Sequence, residues 1–269
     1  LRALFSEAIS PDGEGDCFVT KSVPRNDTFE VILKTIAALF DVDGTLFTGH
    51  VWRGMLDYFE KHTGKWAVRR FWYAHLPPYF LRKLKLINEE QFRGPWGAHL
   101  AWLVKGWDER QLRGLYEFIA HEYTPQHRRE DTIKMLQDHR AQGHVTMLVS
   151  TGFTEMVAEI GRTIGAEHAV GCDLEMKDGR ATGRIVPPVV IGKQKGIAAK
   201  AKLAALGYDV DYASSFAYAD SLTDLGLFEI VGNPRPVYPA ADLAEYARQQ
   251  GWPVYGAPGG PPLRGHGQG

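Results

Sequence analysis

The chain has 269 residues, 44% of them hydrophobic, with a formal net charge of −1. That length suits one large or two small domains with ample material for a core, and the balanced charge supplies no field that points to nucleic acid. Two cysteines, Cys17 and Cys172, are too few for a disulfide framework, no apolar run is long enough to span a bilayer, and the N-terminus lacks the pattern of a secretion signal, so a cytoplasmic setting is expected.

Residues 1–33 show no clear period and carry turn clusters such as Pro11-Asp12-Gly13-Glu14-Gly15, so they read as a poorly defined extension, with the folded part starting near Lys34. An apolar run at 35–40 predicts a strand. Residues 51–140 then read as helices, at 51–62, 67–75, 78–86, 89–104, 108–121 and 126–142. A strand is predicted at 144–149, a helix at 154–164, and a hairpin from 172–176 and 180–185 around Lys177-Asp178-Gly179. A Lys/Ala-rich helix at 195–206 leads to a strand at 214–219, and short apolar stretches at 228–231 and 236–238 extend the sheet. The Gly/Pro-rich residues 256–269 have almost nothing to bury and read as a disordered tail.

Strands alternating with helices predict an α/β protein with a doubly wound, mostly parallel, Rossmann-like sheet that binds its ligand at the carboxyl ends of the strands. The expected organisation is a core of residues 34–48 and 136–255, with residues 49–135 inserted after the first strand as a helical cap.

Chemistry-bearing residues follow three of the strands. Asp41-Val42-Asp43-Gly44-Thr45 closes the first, and two carboxylates at the end of a buried strand attract a hard cation, which in turn attracts phosphate. Gly44 permits the sharp turn after them. Ser150-Thr151-Gly152 closes the second strand, and a hydroxyl with backbone N–H groups entering a helix suits an oxyanion, although an ordinary helix cap has the same composition. Gly192-Lys193-Gln194-Lys195 opens a later helix, and Asp220-Ser221-Leu222-Thr223-Asp224 follows the last strong strand.

Taken together, in this order, these segments resemble the motifs of the haloacid dehalogenase superfamily, over about residues 34–255. More narrowly, the chain resembles the phosphoserine-phosphatase-like hydrolases of subfamily IB, which carry a helical cap directly after the first motif. The resemblance implies a phosphomonoester hydrolase that uses Mg²⁺ and an aspartyl-phosphate intermediate. Asp41 is then the nucleophile and Asp43 the acid–base residue. Mg²⁺ sits at Asp41, Asp43 (through its backbone carbonyl), Asp220 and Asp224, the last either a ligand or an acceptor that orients water or Lys195. Gly44, Ser150, Thr151, Gly152, Thr223 and Lys195 contact phosphate, with Lys193 an alternative to Lys195.

The acid at Asp43 separates this chain from true dehalogenases, and the large cap disfavours a phosphomutase. Where phosphoserine phosphatases bind the substrate amine and carboxylate with Glu and Arg, this chain has His50 and, near residues 92–105, His99 and Leu100. The expected substrate is therefore a small phosphorylated metabolite other than phosphoserine, with His50 near it. A basic, aromatic run at 69–85 raises contact with anionic lipid headgroups, or a lipid-like phosphoester as substrate, as alternatives, but amphipathic cap helices with aromatics packed inward are the expected explanation. A catalytically inactive binding protein of the same fold is the remaining alternative.

Overall fold

The structure, a computed structural model, describes residues 34–257 except 85 and 88. The expectations for residues 1–33, Cys17 among them, and for the tail beyond 257 lie outside the described residues.

Five parallel strands form the main sheet in the order β3-β2-β1-β6-β7. They are β1 Ala37–Phe40, β2 Val145–Phe153, β3 His168–Cys172, β6 Phe216–Ala219 and β7 Asn233–Pro236, while β4 Leu174–Lys177 and β5 Arg180–Ile185 make a separate hairpin. All four residues of β1 are fully buried. Ala38 and Phe40 join one apolar cluster and Ala37 and Leu39 the other, so helices cover both faces of the sheet and β1 reads as a continuous apolar run. The chain leaves β1 toward β2 on one side and reaches β6 on the other, which opens a cleft above the carboxyl end of β1.

Helices α1 Val51–His62, α2 Lys65–Lys83, α3 Glu89–His99, α4 Glu109–Phe118 and α5 Glu130–Ala141 separate β1 from β2. Helices α6 Thr154–Ile164, α7 Lys193–Ala205, α8 Leu225–Phe228 and α9 Ala241–Gln250 complete the fold. Asp108 and Gln111 form a capping box at α4. His75 Nδ1 donates to the Phe71 carbonyl at 2.7 Å, so its Nε2 accepts from His99 Nδ1 at 2.9 Å and ties α2 to α3. The hairpin braces the segment between α3 and α4 through Gly106 N–H to Ala181 O at 2.7 Å and Ala181 N–H to Trp107 O at 2.8 Å. Among the described residues, no helix is long and apolar enough to cross a membrane.

Several elements differ from the sequence-based expectation. The two helices expected at 67–75 and 78–86 are one, because Pro77 and Pro78 do not interrupt α2. The strand expected at 172–176 is divided: Cys172 ends β3 in the main sheet and Leu174 begins the hairpin. Residues 228–231 are not a strand, since Phe228 closes α8 and is buried. The helix expected from 126 starts at Glu130, after a 3-10 turn at Thr124–His127 that contains Pro125.

Candidate active site

Three strand ends converge above β1. Phe40 hands the chain to Asp41, β2 carries Ser150, and Ala219 precedes Asp220. Asp41 is buried, its Oδ1 accepts from Lys195 Nζ at 2.5 Å and its Oδ2 from Thr45 Oγ1 at 3.2 Å. Lys195 also donates to Asp224 Oδ1. Burial alone would lower the Lys195 pKa, but the charges and hydrogen bonds of Asp224 and Asp41 outweigh it and raise the pKa above the ordinary value. Of the two lysines at the start of α7, Lys193 is exposed and Lys195 makes these contacts. Gly196 lets α7 reach this depth, since a Cβ there would lie 2.1 Å from the Gly226 carbonyl oxygen.

Carboxylate oxygens of Asp41, Asp220 and Asp224 lie within 4.8 Å of one another. Lys195 bonds Asp41 and Asp224, and three carboxylates this close together suit a divalent cation with oxygen ligands. Gly44 makes room for the cluster: at φ +88° a Cβ would lie 2.0 Å from Asp220 Oδ2. Its amide donates to Phe47 O at 2.8 Å instead of facing the cleft as expected for a phosphate contact, because the turn closes on itself. The Asp43 carboxylate stands outside the three-carboxylate cluster, its Oδ1 accepting from Val51 N–H at 2.9 Å at the start of α1.

Ser150, Thr151 and Gly152 do not enter a helix directly, because β2 continues to Phe153, which pairs with Cys172, and α6 starts at Thr154. The Gly152 amide donates to Ser150 Oγ at 3.0 Å, and Thr151 Oγ1 donates to Val190 O at 2.9 Å. Ser150 Oγ, receiving that amide, has its own proton to offer a ligand. Thr223 Oγ1 lies 3.0 Å from Ser221 Oγ.

A cavity of about 480 Å³ opens over the cluster and is lined by Asp41, Asp43, His50, Ser150, Thr151, Gly152, Lys195, Thr223, Asp220 and Asp224. Every residue expected at the site except Gly44 therefore faces one space, and Gly44 lies against Asp220. On the opposite wall, sequence reading singled out Trp72, Tyr79 and Arg82 only as part of the basic, aromatic run at 69–85 and missed Trp52, Arg53 and Trp96. Trp52 and Trp96 meet edge to face with centroids 4.7 Å apart, Trp72 stands 6.1 Å from Trp52, and Arg53, Tyr79 and Arg82 are beside them. Spaced along three helices, these residues look like ordinary core positions in the sequence. It also missed Arg129, buried just before α5 with its guanidinium 3.9 Å from the Tyr238 ring centroid. Burial lowers the Arg129 pKa, opposed by Tyr238, Asp131 and Asp220.

Comparison with known proteins agrees with this geometry. A family model described as haloacid dehalogenase-like hydrolase matches residues 38–229. The chain is 31% identical over 157 residues to a Mycobacterium tuberculosis protein described as a "probable phosphatase", covering 58% of this chain and 54% of that one. The chain thus spans about half the length of that relative. It is 29% identical over 228 residues to a phosphoserine phosphatase of the same organism, covering 82% of this chain and 70% of that one. Among solved structures, a Bordetella pertussis protein of unknown function shares 26% identity with a TM-score of 0.69, over 83% of this chain and 99% of that one. With its parallel sheet, its ordered acidic motifs and its phosphoserine-phosphatase-like relatives, this chain belongs to the haloacid dehalogenase-like hydrolase family.

Proposed function

We propose that the protein is a Mg²⁺-dependent phosphomonoester hydrolase that works through an aspartyl-phosphate on Asp41. The observation that carries this reading is the Asp41 carboxylate, held between Lys195 and Thr45 at the floor of a cavity and facing Asp220 and Asp224. Asp41, Asp220 and Asp224 would hold the cation together with the Asp43 backbone carbonyl. Bound there, Mg²⁺ neutralises charge on the phosphoryl oxygens and on the carboxylates that crowd them.

An Asp41 oxygen attacks phosphorus and the ester P–O bond breaks, while Asp43 gives its proton to the departing alkoxide. Asp43 then takes a proton from water, whose oxygen attacks phosphorus, releasing inorganic phosphate and restoring Asp41. Lys195 and the Ser150 hydroxyl offset charge on the equatorial oxygens, with Thr223 as a further donor. Residues 49–135 serve as a cap that carries the wall facing the leaving group.

His50 and Leu100 line the cavity where an amine-binding Glu and a carboxylate-binding Arg would serve phosphoserine, which argues against that substrate. The tryptophan wall suits a small phosphomonoester whose alcohol has an apolar or aromatic body, and it keeps a lipid-like phosphoester as the second reading. Hydrolysis of an aryl phosphate with and without Mg²⁺, followed by a panel of phosphomonoesters, tests the proposal. Asp41→Asn is expected to lower kcat by at least about a thousandfold with the fold intact. Activity that survives this substitution removes Asp41 from its role, and an intact protein inert on the whole panel favours a binding protein of the same fold.

A further inference from the structure

We propose that the outer face of α2 is a docking surface for an anionic lipid bilayer. The two sides of this helix are both apolar, for different reasons. Val68, Phe71 and His75 are buried against the rest of the insertion, and Trp72, Tyr79 and Arg82 line the active-site cavity. On the opposite side Trp66, Tyr73, Phe80 and Leu84 fall at intervals of seven, seven and four along one stripe, and they are 68%, 65%, 57% and 68% exposed. Aromatics packed inward would explain a basic, aromatic helix as ordinary cap structure; these point outward. Leaving large apolar side chains in water forfeits the gain of burying them.

Charge identifies what covers the stripe. Exposed Arg69, Arg70 and Lys83 flank it, and α2 contains no Asp or Glu along its length. A second copy meeting this face across a two-fold axis would set these cations against their own copies. An anionic bilayer instead offers negative headgroups to the cations and an acyl boundary to the apolar side chains, and Trp and Tyr suit that depth. The helix then lies in the plane of the interface rather than across it, in keeping with its mixed polarity. Because Trp72 and Tyr79 sit on the same helix, docking would set the cavity beside the headgroups. The docking itself does not depend on the phosphatase reading, and a failure of either leaves the other standing.

Co-sedimentation of the full chain with phosphatidylcholine vesicles, with and without phosphatidylglycerol, tests this surface. Retention is expected on anionic vesicles, weaker by about tenfold or more on neutral ones, and reduced sharply in concentrated salt. The triple variant Trp66→Ser, Tyr73→Ser, Phe80→Ser should lose retention while its circular dichroism and its aryl phosphate hydrolysis stay as in the parent, since none of the three lines the cavity. Arg69→Glu with Arg70→Glu should weaken retention on anionic vesicles and leave neutral ones unchanged. No retention by the parent, or equal retention by the triple variant, overturns the proposal. So does a concentration-dependent dimer in light scattering that the triple variant abolishes, which would give the face to a second copy.

Discussion

Lys195 Nζ stands 2.5 Å from Asp41 Oδ1 and hydrogen-bonds Asp224 at the same time, so one buried ammonium joins the end of β1 to the segment after β6. Removing it leaves two buried carboxylates close together without that cation. Lys195→Met is expected to cost about 3 kcal/mol of stability in urea denaturation and at least about a hundredfold in kcat. Adding Asp224→Asn should restore part of the stability and none of the activity. If the single variant melts like the parent, the ammonium is not holding this cluster together.

Gly44 predicts a separable loss. Its Cβ would collide with Asp220 Oδ2 on a backbone at φ +88°, so Gly44→Ala must displace Asp220 or the turn. The activity midpoint in a Mg²⁺ titration should rise by about tenfold or more, with the far-ultraviolet spectrum unchanged. An unchanged midpoint would take Asp220 out of the proposed cation site.

Acid should weaken the fold through His139. This buried ring bonds Tyr218 OH at 2.8 Å and His144 Nδ1 at 2.7 Å, and burial, followed by the His144 charge, pushes its pKa down to about 4 against the pull of Asp138. A folded pKa below the unfolded value of about 6.5 means that the unfolded chain binds the extra proton first. Stability is therefore full above about pH 6.5 and declines as pH falls toward about 4, by up to about 3 kcal/mol. His99 and His168, also lowered chiefly by burial, act in the same direction. Urea midpoints measured between pH 7.5 and 4.5 should show the decline, and His139→Gln should flatten part of it; an identical slope in the variant would assign the effect elsewhere.

The tryptophan wall should set selectivity and leave the chemistry alone. Trp96→Ala opens space beside Trp52 and is expected to lower kcat/KM for an arylalkyl phosphate by about tenfold. For a short-chain alkyl phosphate the change should stay within about twofold. Equal losses on both substrates would mean that Trp96 supports the fold instead of the leaving group.

The sheet was legible in the sequence because it rests on local signals, and the acidic cluster was legible through the resemblance of its ordered motifs to a known superfamily. A strand buried on both faces is written as an unbroken apolar run, as in β1, while Asp41, Asp43, Asp220 and Asp224 lie past strand ends and Ser150 lies within the last half of β2. Lys195 was harder, since Lys193 has the same local composition and only the close approach of α7 to α8 at Gly196 separates them. The cavity wall was legible only in part, as the basic, aromatic run at 69–85 that carries Trp72 and Tyr79. Trp52, Trp72 and Trp96 come from three helices, and their meeting depends on how those helices pack. Strand β3 escaped because Gly171 and the polar His168 dilute a short run, and Gly171 is there because a Cβ would strike the Gly152 carbonyl oxygen at 2.3 Å.

The Val51 amide that holds Asp43 belongs to the first residue of the helical insertion, whereas Asp43 belongs to the sheet. That bond ties the residue proposed as the acid to the helical insertion. Any swing that carries α1 away breaks this bond and changes where the Asp43 side chain stands. Opening the cavity would then also displace the proposed acid, so that access to the site and the placement of Asp43 change together.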